Sequence, residues 1–416
     1  MTVQTIAAAD ADNTQDDDLA AVYGNAVDAL TDLTHLAQRR RDFQPWHHPV
    51  KQVVRHHQWA ALTKKLLDSR GENLPTVLQY FTLPGPDLMD VRVLADVCGP
   101  MGVKVEYFGF NSGMSSNATE AAQPAHVATW IDAESALRQA DRITASSEVL
   151  ADRLEDIALE KSHAATKLGL RDTFDVINID ACDHLAYSPE GRDRCTFDAI
   201  KVLLKHQMRA RRPWLLFVTT RVAPSLIGAP GDDFKAAVAN NLGVAGSGFG
   251  DALADCLGVA RAELEGALDA AWATHDARFL KLFSIGLGKF LLQAFLQPNL
   301  PSNVELASLY AYRVHSGDHP DMLAMAFRVT PGDIQMLPPS TGGLASVPDL
   351  EPSRAIQVAK QAVKLQDLDN EMQLDPPLTQ LAITGMRLLL QAGNYDLDEW
   401  RHWLAEHPQR PMILTD

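Results

Sequence analysis

The sequence predicts an α/β protein built on a mostly parallel sheet that closes with a late antiparallel β-hairpin. Three observations predict it. Short apolar strand candidates alternate with helical stretches through the first half of the chain. Residues 230–298 then turn Ala-, Leu- and Gly-rich and helical, with no convincing strand. Two β-like runs, VELASLYAYRV (304–314) and DMLAMAFRVTP (321–331), follow around the turn SGDHP. Strand–helix–strand alternation demands parallel strands joined by right-handed crossovers.

The elements follow in order. Residues 1–18 are acidic and read as a disordered tail. Residues 19–70 read as a helical arm. Val22, Val27, Leu30, Leu33 and Leu36 recur at helical spacing, and VVRHHQWAALTKKLLDS (53–69) does the same after a Pro/His stretch. Residues 71–225 read as the sheet core. VLQYFTL (77–83) is a strand, DLMDVRVLADVCG (87–99) a helix ended by glycine, and VKVEYFGFN (103–111) a second strand. ITASSEVL (143–150) is the candidate third strand, while Ala133–Ala140 and Val149–Leu168 look helical. DVINIDA (175–181) and PWLLFVTTRV (213–222) are strands around an amphipathic helix over Phe197–Arg211. Residues 226–300 form a helical insertion, 301–335 the hairpin, and 336–416 a tail with helices at about 353–372, 378–392 and 396–405.

Composition narrows the function classes. The net charge is −16, which argues against a protein that coats nucleic acid through phosphates. Two local basic clusters, Arg39–Arg41 and KHQMRARR (205–212), leave room for a small contact but read first as solvated surface. There is no apolar run of transmembrane length, and the first residues lack the basic start and apolar run of a signal peptide. Cys98, Cys182, Cys195 and Cys256 match no zinc spacing and read as reduced thiols, so the expected compartment is the cytoplasm.

LQYFTLPGPD, VEYFGFN, VINIDACDH, PWLLFVTTRV and the 304–331 hairpin together resemble the class I S-adenosylmethionine-dependent methyltransferases, over roughly residues 53–330. The resemblance implies a Rossmann-like sheet of seven strands whose last two form a hairpin, a divergent bacterial member, and S-adenosylmethionine as cofactor. Ligands of such sheets bind outside the carboxyl ends of the parallel strands. The implied cofactor contacts are Leu83, Pro84 and Gly85 after the first strand, Asn111 after the second, Asp152 after the third and Asp180 after the fourth. Two positions depart from the family pattern. LPGP carries one glycine and two prolines that lack N–H donors, and Asn111 stands where the family usually has a carboxylate. Asp180, Asp183 and His184 would be the catalytic group, placed to accept a proton. IDACDH lacks the Pro-Pro-aromatic continuation of nucleic-acid amino-methylases.

Plainer readings stand beside these. Asp180 could be a helix N-cap with Asp183 in the first turn, and Gly85 a turn residue needing positive φ. HHPVKQVVRHH, with His47, His48, His56 and His57, reads as a surface or interdomain histidine cluster rather than a metal site. Lys51, Arg55 and Trp59 share one helical face, and Arg55 and Trp59 are candidate contacts to a phosphate or acidic substrate group. Arg221, at the end of the fourth clear strand, either binds an anionic substrate or pairs with a carboxylate. GVAGSGFGD (243–251) follows a helix rather than a strand and reads as a helix–helix loop; GLGKF (286–290) lacks P-loop spacing. The expected activity is methyl transfer from S-adenosylmethionine to an unidentified acceptor. The alternatives are a non-catalytic subunit of the same fold that binds a protein partner, and a different nucleotide-binding enzyme using the basic face around Arg55.

Overall fold

The structure, a computed structural model, describes residues 39–114, 123–181, 183–244, 248–297, 300–315, 319–332 and 350–407. The acidic tail, residues 20–38 of the helix expected over 20–41 and Cys182 lie outside these residues. Arg40 and Arg41, expected at the end of that helix, are not helical. Arg40 instead bridges Tyr395.

The sheet strands are β1 (Val77–Thr82), β2 (Lys104–Phe110), β3 (Glu148–Leu150), β4 (Val176–Asp180), β5 (Trp214–Arg221), β6 (Asn303–Tyr312), β7 (Met322–Thr330) and β8 (Gln366–Asp367). Their order across the sheet is β8-β6-β7-β5-β4-β1-β2-β3. β1 to β5 pair in parallel, β7 lies antiparallel between β5 and β6, and β8 adds in parallel to β6. This is the Rossmann-like sheet with a late antiparallel hairpin that the sequence predicts. β8 and the order of the hairpin strands are additions to it.

Side-chain alternation explains why the sheet is covered on both faces. In β5, Leu216 and Val218 enter one core, and Leu215 and Phe217 the opposite one. The first core is closed by α4 (His163–Gly169), α5 (Thr196–Gln207) and the insertion, which folds as α6 (Gly228–Leu242), α7 (Phe249–Leu257), α8 (Leu264–Ala273) and α9 (Ala277–Phe295). The second is closed by the arm helix α1 (Pro49–Val53, running on through Val54–Ala60 and Ala61–Asp68), by α2 (Met89–Cys98) and by α3 (Gln123–Gln139). Full burial of an aromatic such as Phe81 or Phe217 contributes about 1.5–3 kcal/mol.

Several local expectations change. The stretch 149–168 is not one helix. β3 ends at Leu150, a 3-10 turn covers Leu154–Ala158, and α4 starts only where the Ser162 hydroxyl caps it by accepting the Ala165 N–H at 2.9 Å. The helix expected over 353–372 divides into α10 (Glu351–Ala362) and α11 (Leu368–Leu374) around β8. The tail continues as α12 (Pro376–Ala392) and α13 (Leu397–Glu406). Asp180 is not an N-cap, because the next helix begins at Thr196. The residues around the 245–247 segment join α6 to α7, as a helix–helix loop should.

The arm helix α1 is α-helical over Pro49–Val53, π-helical over Val54–Ala60 and α-helical again over Ala61–Asp68. Of the expected surface or interdomain histidines, His47 and His48 are buried against the tail, while His56 and His57 are exposed. The His47 carbonyl accepts the Trp400 indole N–H at 3.2 Å, and its ring packs 4.9 Å from that of Tyr395. Burial holds the His47 imidazole down at about 2 and that of His48 at about 4.

Two predictions follow from this packing. An unfolded chain protonates both histidines near pH 6.5, whereas the folded one resists. Stability is therefore fully present above about pH 6.5 and is lost as pH falls toward the folded values of about 4 and 2. Urea midpoints should drop from pH 7 to pH 5, and the drop should shrink in a His47→Gln/His48→Gln protein. The second concerns Gly109 in β2. A Cβ there would stand 2.5 Å from the Thr82 carbonyl oxygen and 2.9 Å from Pro84 Cδ. Gly109→Ala should cost about 1–3 kcal/mol in urea unfolding, through overpacking.

Candidate functional site

The sheet order reverses between β1 and β4: β2 and β3 extend one way, β5 the other. At such a switch point neighbouring crossovers diverge and leave a crevice above the carboxyl ends. A cavity of about 660 Å³ occupies that place. The segments after β1 (Leu83–Asp87), β2 (Asn111–Gly113), β3 (Asp152–Glu155) and β4 (Ala181, Asp183) all line it. α1 supplies Lys51, Arg55 and Trp59, and the hairpin supplies Tyr312, His315 and Met322. The volume falls within the roughly 300–1,000 Å³ typical of small-molecule sites.

The β1 loop turns at Gly85–Leu88, closed by the Leu88 N–H donating to the Gly85 carbonyl at 3.1 Å. Gly85 does not have the positive φ of the plain turn reading. Leu88 does, at φ 50, a left-handed conformation that costs an ordinary residue about 1–2 kcal/mol. Burial of its side chain in the second core holds it there. A Cβ on Gly85 would meet nothing within 4 Å, so that stretch of backbone is open toward space.

Asn111 ties the first two loops together. Its Nδ2 donates to the Pro84 carbonyl at 3.1 Å and its Oδ1 accepts the Gly113 N–H at 3.0 Å. One N–H and one lone pair of the amide remain for a ligand. Asp152 lines the cavity and is held by His163 Nδ1 at 2.9 Å.

Asp180, at the end of β4, is paired with the buried Lys51 ammonium. Lys51 Nζ also donates to the Tyr312 hydroxyl at 3.3 Å and lies 5.0 Å from the Trp59 ring centre. The π-helical turn carries Arg55 and Trp59 in the same helix; such turns concentrate at functional sites because they re-aim side chains. Arg55 is almost fully buried. It donates to the Trp46 carbonyl at 3.1 Å, its Nε has no partner among the described residues, and burial lowers its pKa.

Asp90, on the cavity lining, belongs to a buried polar cluster that the sequence reading missed. Asp90, in the first turn of α2, takes the Tyr80 hydroxyl at 2.7 Å and the Thr82 hydroxyl on one oxygen. Asn178 Nδ2 donates to Tyr80 Oη at 3.0 Å. Burial and the Asp90 carboxylate push the Tyr80 phenol well above its usual range, which keeps it a donor. Polar residues within otherwise apolar strands, Thr82 at the end of β1 and Asn178 in the middle of β4, are the signal that could have revealed this cluster. At the rim, Asp87 pairs with Arg40 and accepts the Tyr395 hydroxyl at 2.9 Å. Burial raises the Asp87 pKa, partly offset by Arg40.

Of the residues singled out in the sequence, Leu83, Pro84, Gly85, Asn111, Asp152, Asp180, Asp183, Arg55 and Trp59 come together on this cavity. His184 and Arg221 are not among its lining. His184 turns to Asp183, 3.7 Å away, and Arg221 faces Asp321 at 3.9 Å because its strand ends beside the hairpin. Cys98 and Cys256 are buried thiols pushed up to about 12 and about 11, which makes them poor nucleophiles. Among the described residues no cluster of three or more His, Cys, Asp or Glu could hold a metal ion, and no helix is long and apolar enough to cross a membrane.

None of the curated proteins matches the sequence. A solved Listeria monocytogenes structure described as a "putative class I S-adenosylmethionine-dependent methyltransferase" is similar over 74% of this chain and 70% of its own, at 11% identity. Its TM-score is 0.29, so the likeness carries no argument and the sheet order above stands by itself. The PP_RS20740-like family model matches residues 40–405, from the arginine that clamps the β1 loop to the last described helix. The chain belongs to the PP_RS20740-like family.

Proposed function

We propose that this protein transfers a methyl group from S-adenosylmethionine to an acceptor bound in the same cavity. The observation that carries the reading is the strand order. A cavity at the β1/β4 switch point, beside a sheet finished by an antiparallel β7 inserted between β5 and β6, is the architecture this chemistry commonly uses. The residues present fit the cofactor. Gly85 leaves open backbone, Asn111 keeps one donor and one acceptor, and Leu83, Phe110 and Leu154 offer an apolar surface for a base. Asp152 would face an adenine amino group. Asp87 and Asp90 supply negative charge for the methionine ammonium.

When bound, S-adenosylmethionine supplies an electrophilic methyl carbon. The chain's own part is to orient and to exclude water. Lys51 positions Asp180 through a partly buried ion pair, and its ammonium also donates to the Tyr312 hydroxyl. The second Asp180 oxygen has no partner among the described residues and is available to an acceptor proton or a cationic group.

A second reading has its own observation. Asn111 is occupied as a strut between two loops, β2 ends without a carboxylate, and Pro84 and Pro86 remove N–H donors. A protein of this family that only binds a partner would tolerate all three. Calorimetry with S-adenosylmethionine and S-adenosylhomocysteine separates the readings. Methyl transfer predicts binding at about micromolar strength, about −8 kcal/mol. No heat at millimolar ligand would leave the scaffold reading. Gly85→Val should abolish that binding while leaving the melting temperature within a degree or so, because the added side chain projects into open space rather than into the core.

A further inference from the structure

His315 lies on the cavity lining, in the turn after β6. Its Nδ1 is in close hydrogen-bond contact with Asp321 Oδ2. That carboxylate is held firmly. Its Oδ1 accepts the Val314 N–H at 2.9 Å and the His315 N–H at 3.4 Å. The Asp321 backbone is fixed as well: its carbonyl accepts the Val222 N–H at 2.8 Å, and its N–H donates to the Tyr312 carbonyl at 3.2 Å. Arg221 Nε stands 3.9 Å from Oδ2. Asp321 is buried, whereas the His315 side chain is 43% exposed.

An ionised carboxylate only accepts hydrogen bonds, so it selects the Nδ1–H tautomer and leaves the Nε2 lone pair outward. Among the described residues Nε2 has no hydrogen-bond partner. Asp180, at the carboxyl end of β4 on the same lining, already gives one oxygen to Lys51. Histidine is the side chain most often used as a general base.

We propose that His315 Nε2 is a proton-accepting site of the cavity and that Asp321 is its positioning residue. The group it takes is an O–H or N–H of the bound acceptor. The proton passes from that heteroatom to Nε2, the acceptor keeps the bonding pair and becomes the nucleophile, and the imidazolium returns the proton to water through its exposed edge. The assignment rests on the methyl-transfer reading for the fate of the nucleophile, but the dyad itself does not.

Diethylpyrocarbonate, which acylates unprotonated imidazole nitrogens, tests both parts when labelling of each histidine is followed by peptide mass spectrometry on the full-length protein. His315 should label several-fold faster than the exposed His57. Asp321→Asn should slow His315 at least threefold, and saturating S-adenosylhomocysteine should protect it. Equal rates for His315 and His57, or no effect of Asp321→Asn, would overturn the dyad. If Asp321→Asn does not fold, long-range ¹H–¹⁵N spectra of wild-type protein decide: a proton on Nδ1 supports the proposal and a proton on Nε2 refutes it. Fast, Asp321-dependent labelling without any binding of S-adenosylhomocysteine would sustain the dyad and remove the methyl-transfer reading instead. Calorimetric binding with no protection would separate His315 from the ligand and overturn its assignment to the cavity.

Discussion

Right-handed crossovers impose the cavity. A parallel strand followed by a helix can return to the sheet only with one hand. A chain that extends its sheet first in one direction and then in the other must therefore carry its helices to opposite faces. From β1 the parallel sheet grows outward through β2 and β3 on one side and through β4 and β5 on the other, so the loops leaving β1 and β4 part from each other. The gap between them is a consequence of chain chirality, and the side chains only decide what it holds. Everything polar that matters to the site is gathered there, while the same strands bury Phe81, Ile177 and Phe217 in the layers beside it.

Charge is arranged in that gap with some economy. Three carboxylates on the lining have cation or hydroxyl partners: Asp87 from Arg40 and Tyr395, Asp90 from Tyr80 and Thr82, Asp180 from Lys51. Burying a carboxylate without such a partner is costly, and pairing it with a group distant in sequence fixes elements against each other. The acidic character of the protein is thus put to structural use at the cleft. The arm helix contributes two cations and an aromatic ring to one wall, which makes it part of the site rather than an appendage.

The sheet was legible because its strands are runs of apolar and β-branched residues bounded by Gly, Pro and Asp, and because each loop that lines the cavity follows such a run. Leu83, Gly85, Asn111, Asp152 and Asp180 could be placed by that logic alone. Asp90 and Tyr312 could not. Asp90 reads locally as a favourable acid in a helix's first turn, and nothing nearby in sequence says that Tyr80 and Thr82 will donate to it. Lys51 was visible on a helical face with Arg55, but its partner Asp180 is 129 residues away. The last two tail helices were legible in the sequence, whereas β8, only two residues long and splitting the helix expected over 353–372, exists because β6 offers it an edge. His184 and Arg221 show the converse limit: proximity in sequence to a strand end does not decide which way a side chain turns.

The pairing of Arg40 with Tyr395 has a consequence for how the molecule comes into being. The Asp87 carboxylate, made early in synthesis, needs both of these residues as partners, and they lie at opposite ends of the described chain. During translation the nascent sheet can fold while the β1 turn still carries a carboxylate lacking one of its two partners. The rim of the cavity becomes complete only when Tyr395 leaves the ribosome. Domains fold as units, and this one cannot close the Arg40–Asp87–Tyr395 rim until nearly all of the described chain has been made.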